Sequence, residues 1–267
     1  MTDTIIVSGG DIQRDFALDF LKREIEKTGR EKICLIAADR GLEFFLKNQI
    51  RPDVAVGDFD SLSEEGKLFL KQQEERRQNT DPKTSAAEGC EKHTETNLEI
   101  IRLKPEKDDS DTQSAMNLAI RRGAKKIAIL GVTGKRVDHL MANFGLLKLA
   151  QEQGTEVALV DAYNYMTLIT SGTVLKKEEQ FGKYVSFFSM GGDVTGLTLE
   201  GFKYPLHGHH LTVADSGLTV SNEIKDDTAK VTYTSGNLLM IMSRDLNADK
   251  HTHASSVRST KRRVRGD

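Results

Sequence analysis

The sequence predicts a mostly parallel α/β sheet followed by an all-β sandwich, and three observations carry that prediction. Short β-branched runs alternate with helical patterns through the first part of the chain, each run stops at Gly and Asp, and after about Tyr165 the helical patterns cease. Strands alternating with helices are the signature of a parallel sheet covered by helices, and closely spaced strands with turn signals are that of a sandwich. The expected boundaries are 1–163 for the α/β part, 164–247 for the sandwich and 248–267 for a basic tail.

In order along the chain, Ile5-Ile6-Val7 runs into Ser8-Gly9-Gly10, Ile33-Cys34-Leu35-Ile36 into Ala37-Ala38-Asp39-Arg40-Gly41, and Val54-Ala55-Val56 into Gly57-Asp58-Phe59-Asp60-Ser61. Residues 74–97 are polar with little to bury, which reads as an insertion. Ile127-Ala128-Ile129-Leu130 then ends in Gly131-Val132-Thr133-Gly134, and Val157-Ala158-Leu159-Val160 ends in Asp161. Between those two, Val137, Leu140, Met141, Phe144 and Leu147 recur at helical spacing, with Gly154 as the C-cap. Short strands separated by Gly, Asp and Asn turns follow. The tail, ending KRRVRGD, reads as a disordered end, with a phosphate contact the lesser reading.

Composition narrows the function classes. The 267 residues carry 38 Lys+Arg against 40 Asp+Glu, a net charge of -2, so a nucleic-acid partner is not expected; the one basic cluster, in the tail, lacks interleaved aromatics. No run approaches a membrane span of about 18 apolar residues, and no basic n-region marks a signal peptide. A cytoplasmic setting without membrane contact is the expectation. Cys34 and Cys90 are too few and too far apart for a disulfide framework or a thiolate zinc site.

In open α/β sheets the ligand crevice lies off the carboxyl ends of the strands, where these Gly/Asp clusters fall. Residues two apart on an extended strand end face one way, so Asp58 and Asp60 can aim two carboxylates at one point; a plain turn accounts for Gly, Asp and Ser equally well. Lys107-Asp108-Asp109-Ser110-Asp111-Thr112 precedes the helical pattern Ala115, Leu118, Ala119. Acids favour a helix start, but three in four positions exceed what one cap needs, and a divalent cation shared with Asp58 and Asp60 would offset their repulsion. Mg²⁺ takes oxygen ligands and bridges carboxylates to phosphates. In Gly131-Val132-Thr133-Gly134-Lys135-Arg136-Val137-Asp138-His139 a helix start suits a phosphate, Lys135 and Arg136 add charge, and Asp138 adds a carboxylate, while His139 reads as a helix-start histidine rather than a base. Gly9 in Ser8-Gly9-Gly10 admits a nucleotide, and Asp39 to Gly41 can hold a ribose, a phosphate or a metal-bound water. Mg²⁺-dependent transfer from a nucleoside triphosphate is the chemistry these groups suit.

Read in order, AADRG, PDVAVGDFDSL, PEKDDSDTQSA, GVTGKRVDHLMAN, GLTLEGFKYPL, GLTVSNEI and SGNLLMIM resemble the thiamine pyrophosphokinase family over nearly the whole chain. That resemblance implies an α/β domain, a β-sandwich, and a homodimer with active sites between subunits. It also implies transfer of the pyrophosphoryl group of ATP to thiamine, giving thiamine diphosphate and AMP. By the same resemblance Asp58, Asp60 and Asp111 hold Mg²⁺ and the triphosphate, with Asp138 and Asp39 near them. Arg136 and Lys107 contact phosphates, and Arg136 and Asp138 count with the three aspartates as catalytic; Gly9, Asp39, Gly41, Lys107, Asp108, Thr133, Gly134 and Lys135 are the expected nucleotide-binding residues, and Ser221 and Asn222 lie near thiamine. Three features depart from the family pattern: Lys135 stands where a second Gly is common, residues 74–97 are additional, and the chain has no Trp. The alternatives are a pyrophosphokinase for a hydroxymethylpterin-like alcohol and a non-catalytic nucleotide or thiamine sensor. His207, His209 and His210 read as a surface turn rather than a metal site.

Overall fold

The computed structural model describes residues 1–78, 98–104, 109–215 and 217–245. Expectations for 79–97, for Lys107 and Asp108, and for the tail lie outside the described residues. The first part runs β1 (Thr4–Val7), α1 (Arg14–Thr28), β2 (Cys34–Ala38), α2 (Gly41–Lys47), β3 (Val54–Gly57), α3 (Glu64–Gln78), β4 (Glu99–Arg102), α4 (Asp111–Arg121), β5 (Lys126–Leu130), α5 (Val137–Glu152) and β6 (Glu156–Val160). The second part is β7 (Asn164–Ile169), β8 (Thr173–Lys176), β9 (Tyr184–Ser189), β10 (Val194–Glu200), β11 (Leu206–Leu211), β12 (Asn222–Glu223), β13 (Thr228–Thr232) and β14 (Leu238–Ser243).

Strands β1, β2 and β3 are buried at every position because helices cover both faces, which is why they read as unbroken apolar runs. On one face Phe20, Leu21, Leu42, Phe45 and Leu70 of α1, α2 and α3 pack on Ile5, Val7, Leu35 and Ala55. On the other, Ala115, Met116, Leu146 and Leu147 of α4 and α5 pack on Ile6, Ile36, Val56 and Ile129. Each large side chain fully buried in this way contributes about 1.5–3 kcal/mol.

The parallel strands lie in the order β6-β5-β1-β2-β3-β4. The chain therefore builds outward from β1 to β4, then crosses back to place β5 on the other side of β1. That reversal leaves a crevice above the carboxyl ends of β1 and β5, the place where open α/β sheets take ligands.

Three expectations change. Helix α3 continues to Gln78, so the polar insertion starts later than Glu74, whose carboxylate pairs with Arg102 of β4 at 2.8 Å. The histidines lie in strand β11 rather than in a turn, because Leu206 and Leu211 anchor that run in the sandwich core. The sandwich also does not stand apart. Strands β7, β14, β9 and β12 extend the first sheet, so that ten strands form one layer, and the sheet β11-β10-β13-β8 packs against this extension. The link is the antiparallel pairing of β7 with β6, Val160 opposite Tyr165, across a turn in which Asp161 accepts from the amides of Tyr163 and Asn164. Among the described residues no helix is long and apolar enough to cross a membrane.

Candidate active site

The site forms where β2 and β3 end. Carboxylate oxygens of Asp39, Asp58 and Asp60 lie within 4.8 Å of one another. Their convergence does not come from an extended strand, as the sequence suggested: β3 stops at Gly57, and Phe59 turns into the left-handed region at φ 62°. Phe59 is 3% exposed, so burying its ring leaves the carboxylates on either side facing outward. The Asp60 amide donates to Asp58 Oδ1 at 3.1 Å, which makes the segment a turn and a carboxylate pair at once.

Asp39 also has a positive φ, 46°, and its amide donates to Val56 O at 2.8 Å. A Cβ on Gly57 would lie 3.0 Å from Asp39 Cα, so the close approach of the two loops requires glycine there. Ser61 donates to Asp39 Oδ2 at 2.5 Å, a partner the sequence reading missed. The nearby charge of Asp58, and beyond it those of Asp39 and Asp111, pushes the Asp60 carboxyl above its ordinary range.

Helix α4 supplies Asp111 through a division of labour in one tripeptide. Ser110 caps the helix, accepting from the Gln113 amide at 3.2 Å, and Asp111 opens the first turn, where the helix dipole favours its charge. Thr112 is 8% exposed and its hydroxyl meets that of Ser8 at 2.6 Å, tying α4 to the loop after β1. Asp109 accepts from the side chain of Gln113.

Other expected residues are placed differently. Gly41 is buried where a Cβ would strike the Val7 carbonyl, so glycine there lets α2 pack close on β1. Arg136 and Asp138 bind each other, with Nε donating to Oδ1 at 3.1 Å, and the Arg136 hydrogen bond holds the exposed Asp138 carboxyl down to about 2. Asp138 is not among the carboxylates that converge in the acid cluster. Lys135 and His139 are exposed, while Thr133 and Gly134 sit over the crevice, Gly134 facing the Gly10-Asp11 backbone. Gly10 donates to Gly131 O at 2.9 Å across that crevice, and Gly9 fits against Arg40.

Ser221 is exposed at φ 57°. Asn222 is 3% exposed, its side chain hydrogen-bonded to the backbone of Tyr204 at 3.0 and 2.7 Å, so in this chain it clamps a loop. His209 and His210 pair separately with Asp215 and Asp193 and do not converge.

The acid cluster fits a hard cation. Asp39 Oδ1 is buried without a hydrogen-bond partner, and the donor set is carboxylate oxygen throughout, as Mg²⁺ prefers. Carboxylates at strand ends, two strands along from the glycine loops at the reversal of strand order, suit an enzyme that handles a phosphorylated ligand through a cation. Residues 25–159 match the family model described as thiamin pyrophosphokinase, catalytic domain, and residues 172–238 match that for its vitamin B1 binding domain. The thiamine pyrophosphokinase of Bacillus subtilis is 32% identical over 215 residues, covering 80% of this chain and 89% of that protein.

Solved structures agree. That of the Bacillus subtilis thiamine pyrophosphokinase superposes with a TM-score of 0.70 at 28% identity, covering 91% of this chain and 99% of the other. The Geobacillus thermodenitrificans enzyme gives the same score and identity, covering 91% and 98%. The Candida albicans protein, at 14% identity, shares the fold with a TM-score of 0.67 over 91% and 90%. The chain belongs to the thiamine pyrophosphokinase family. It is a transferase of thiamine diphosphate biosynthesis, and the pterin and sensor alternatives are not favoured.

Proposed function

We propose that the acid cluster carries the transfer of the pyrophosphoryl group of ATP to thiamine, with Asp58, Asp60 and Asp111 holding Mg²⁺ and Asp39 joining them. The supporting observation is the mutual approach of Asp39, Asp58 and Asp60 within 4.8 Å, one oxygen of Asp39 being buried without a partner. Bound Mg²⁺ would supply charge neutralisation to the triphosphate.

The thiamine hydroxyl oxygen forms a bond to the β-phosphorus as the bond from that phosphorus to the α–β bridging oxygen breaks. AMP leaves with the bridging oxygen, and the hydroxyl proton passes to a carboxylate, Asp111. Orientation of the two substrates contributes more than the base. Thr133, Gly134 and Lys135 line the phosphate path after β5, and Gly9 does so after β1. Arg136 reaches a phosphate by exchanging its Asp138 partner, which leaves Asp138 supporting that loop. In the same reading Lys107 is a phosphate contact and Asp108 belongs to the nucleotide-binding set.

We further infer that thiamine meets Ser221, and the segment that Asn222 holds, from a second copy of the chain. Strand β12 lies at one end of the large sheet and β3 next to the other. Eight strand steps separate them, roughly 38 Å along the sheet at about 4.8 Å per step. One chain's Ser221 therefore cannot serve its own acid cluster, which favours a homodimer. Val137 and Met141 of α5 are 68% and 62% exposed, surface that a second subunit would cover. The setting proposed is cytoplasmic.

Purified protein with ATP, Mg²⁺ and thiamine tests this reading. AMP formed in step with thiamine diphosphate, and lost on chelation, is expected. ADP with thiamine monophosphate would overturn pyrophosphoryl transfer.

A further inference from the structure

Phe59 stands between two of the clustered carboxylates in a backbone conformation that a bulky side chain rarely allows, φ 62°. Such a conformation persists only where its surroundings over-determine it. On the inner side, the ring belongs to the core cluster that also takes in Phe45 of α2, Leu62, and Leu70 of α3. On the outer side, the Arg102 guanidinium of β4 lies over the ring, 5.5 Å from its centroid. Arg102 is held there by a fork. Its Nε donates to Glu74 Oε1 at 2.8 Å, and Nη2 donates to Glu74 Oε2 at 3.3 Å.

Three elements aim these groups at one another. Ile100 of β4 packs on the same core cluster as Phe59, and Arg102, two residues on, shares its face of the strand. Gly57 is the register partner of Arg102 in β3, and the Leu103 amide donates to Gly57 O at 2.9 Å. Strand β4 thus grips the strand end from which the acid turn leaves. Glu74 follows Leu70 by four residues on α3 and lies on the helix face that packs on this core. An exposed ion pair adds little to stability by itself. This one also fixes a planar cation on a ring whose movement would carry the neighbouring carboxylates with it.

We propose that Arg102, held by Glu74, positions the metal-binding turn: stacked on Phe59, it keeps Asp58 and Asp60 converged before a cation arrives. The inference rests on the reading of those carboxylates as Mg²⁺ ligands and adds two residues that act through Phe59 rather than by touching the ion. A preorganised site binds more tightly because the ion need not gather repelling carboxylates itself. With the clamp open, the turn relaxes toward an ordinary backbone and the carboxylates part, so that cation binding must first restore them.

Arg102→Ala, Arg102→Lys and Glu74→Ala test the clamp. The two side chains are 52% and 33% exposed, and the backbone pairing of β4 with β3 remains, so the fold is retained. Mn²⁺, which suits carboxylate sites as Mg²⁺ does, is titrated into the free protein while the paramagnetic resonance signal of the free ion is followed. Arg102→Ala should weaken Mn²⁺ binding about three- to tenfold, as for a lost cation–π contact and its ion pair. Arg102→Lys, which keeps the charge without the planar fork, should recover part of that loss. In Arg102→Ala the Mg²⁺ activation constant should rise by the same factor, turnover should return as Mg²⁺ is raised, and KM for thiamine should not change. The double variant Arg102→Ala/Glu74→Ala should bind Mn²⁺ no more weakly than Arg102→Ala alone, since Glu74 acts through the arginine. Wild-type Mn²⁺ affinity in Arg102→Ala would overturn the proposal even with a lowered melting temperature, and so would additive effects of the two substitutions. Asp58→Asn separates the failures. If it loses Mn²⁺ while Arg102→Ala does not, only the clamp falls; if it keeps Mn²⁺, the metal reading falls and the clamp with it.

Discussion

At the scale of single residues the site is a balance of repulsion held in place by backbone. Asp58, Asp60 and Asp39 crowd one another, and the strain shows in the raised Asp60 carboxyl. Asp58→Asn or Asp60→Asn should lower kcat by about two orders of magnitude or more with an unchanged circular dichroism spectrum. In chelator Asp60→Asn should melt above the wild type, because one member of the repelling set is neutral. Added Mg²⁺ should then raise the wild-type melting temperature more than the variant's; equal shifts would remove Asp60 from the ligand set. Gly57→Ala is the backbone counterpart. Its methyl would sit 3.0 Å from Asp39 Cα, displacing that carboxylate, and weaker Mg²⁺ activation at an overpacking cost of about 1–3 kcal/mol is expected. The sequence made Asp58, Asp60 and Asp111 legible by type and spacing. It hid Ser61 and Thr112, since a hydroxyl beside a carboxylate looks like any turn or cap until its partner across the fold is seen.

At the scale of elements, the loop leaving β3 is pinned by a side chain from α2. The loop between β3 and α3 is held where Glu43 of α2 accepts from the Ser63 amide at 2.7 Å, and hydrogen bonding from the Ser63 side chain, with that amide and Lys47 adding to it, keeps Glu43 below its ordinary carboxyl range. A carboxyl depressed in the folded state adds stability that is present above its unfolded value and lost as pH falls through the folded one. Acid titration of Glu43→Gln, followed by melting temperature, should therefore show a shallower decline than the wild type below about pH 4.5. Strands β1, β2, β3, β5 and β6 were readable because burial on both faces leaves an apolar run. Strand β4 was not: at the sheet edge its residues are only half buried, and Glu99 and Arg102 are spent on ion pairs with Arg122 and Glu74. The helical spacing on α5 was legible, but not that Val137 and Met141 at its start stand exposed, because periodicity reports a face without saying what covers it.

At the scale of the molecule, the acid cluster and the Ser221 segment lie near opposite ends of one sheet, and this invites a complementation test. Asp58→Asn and Ser221→Ala chains, each inactive alone, should regain roughly a quarter of wild-type activity when refolded together, since half of the dimers are mixed and each mixed dimer has one intact site. No recovery would mean that the two residues act within one chain or not at all. That the two halves share a sheet was not legible in the sequence: the change from helical to turn-rich pattern at Tyr165 marks a change of layer, while pairing between β6 and β7 is a long-range choice that composition does not record.

That shared sheet bears on how the two halves can be inherited. Two family models match 25–159 and 172–238 as though they were separable modules, yet β7 is hydrogen-bonded to β6 on one side and β14 on the other. Cutting between them would bare a full strand edge on each fragment, inviting mispairing with any other chain. Recombination that exchanged one half for a foreign counterpart would have to match its strand register as well as its chemistry, so the pair is expected to travel through lineages as a single unit.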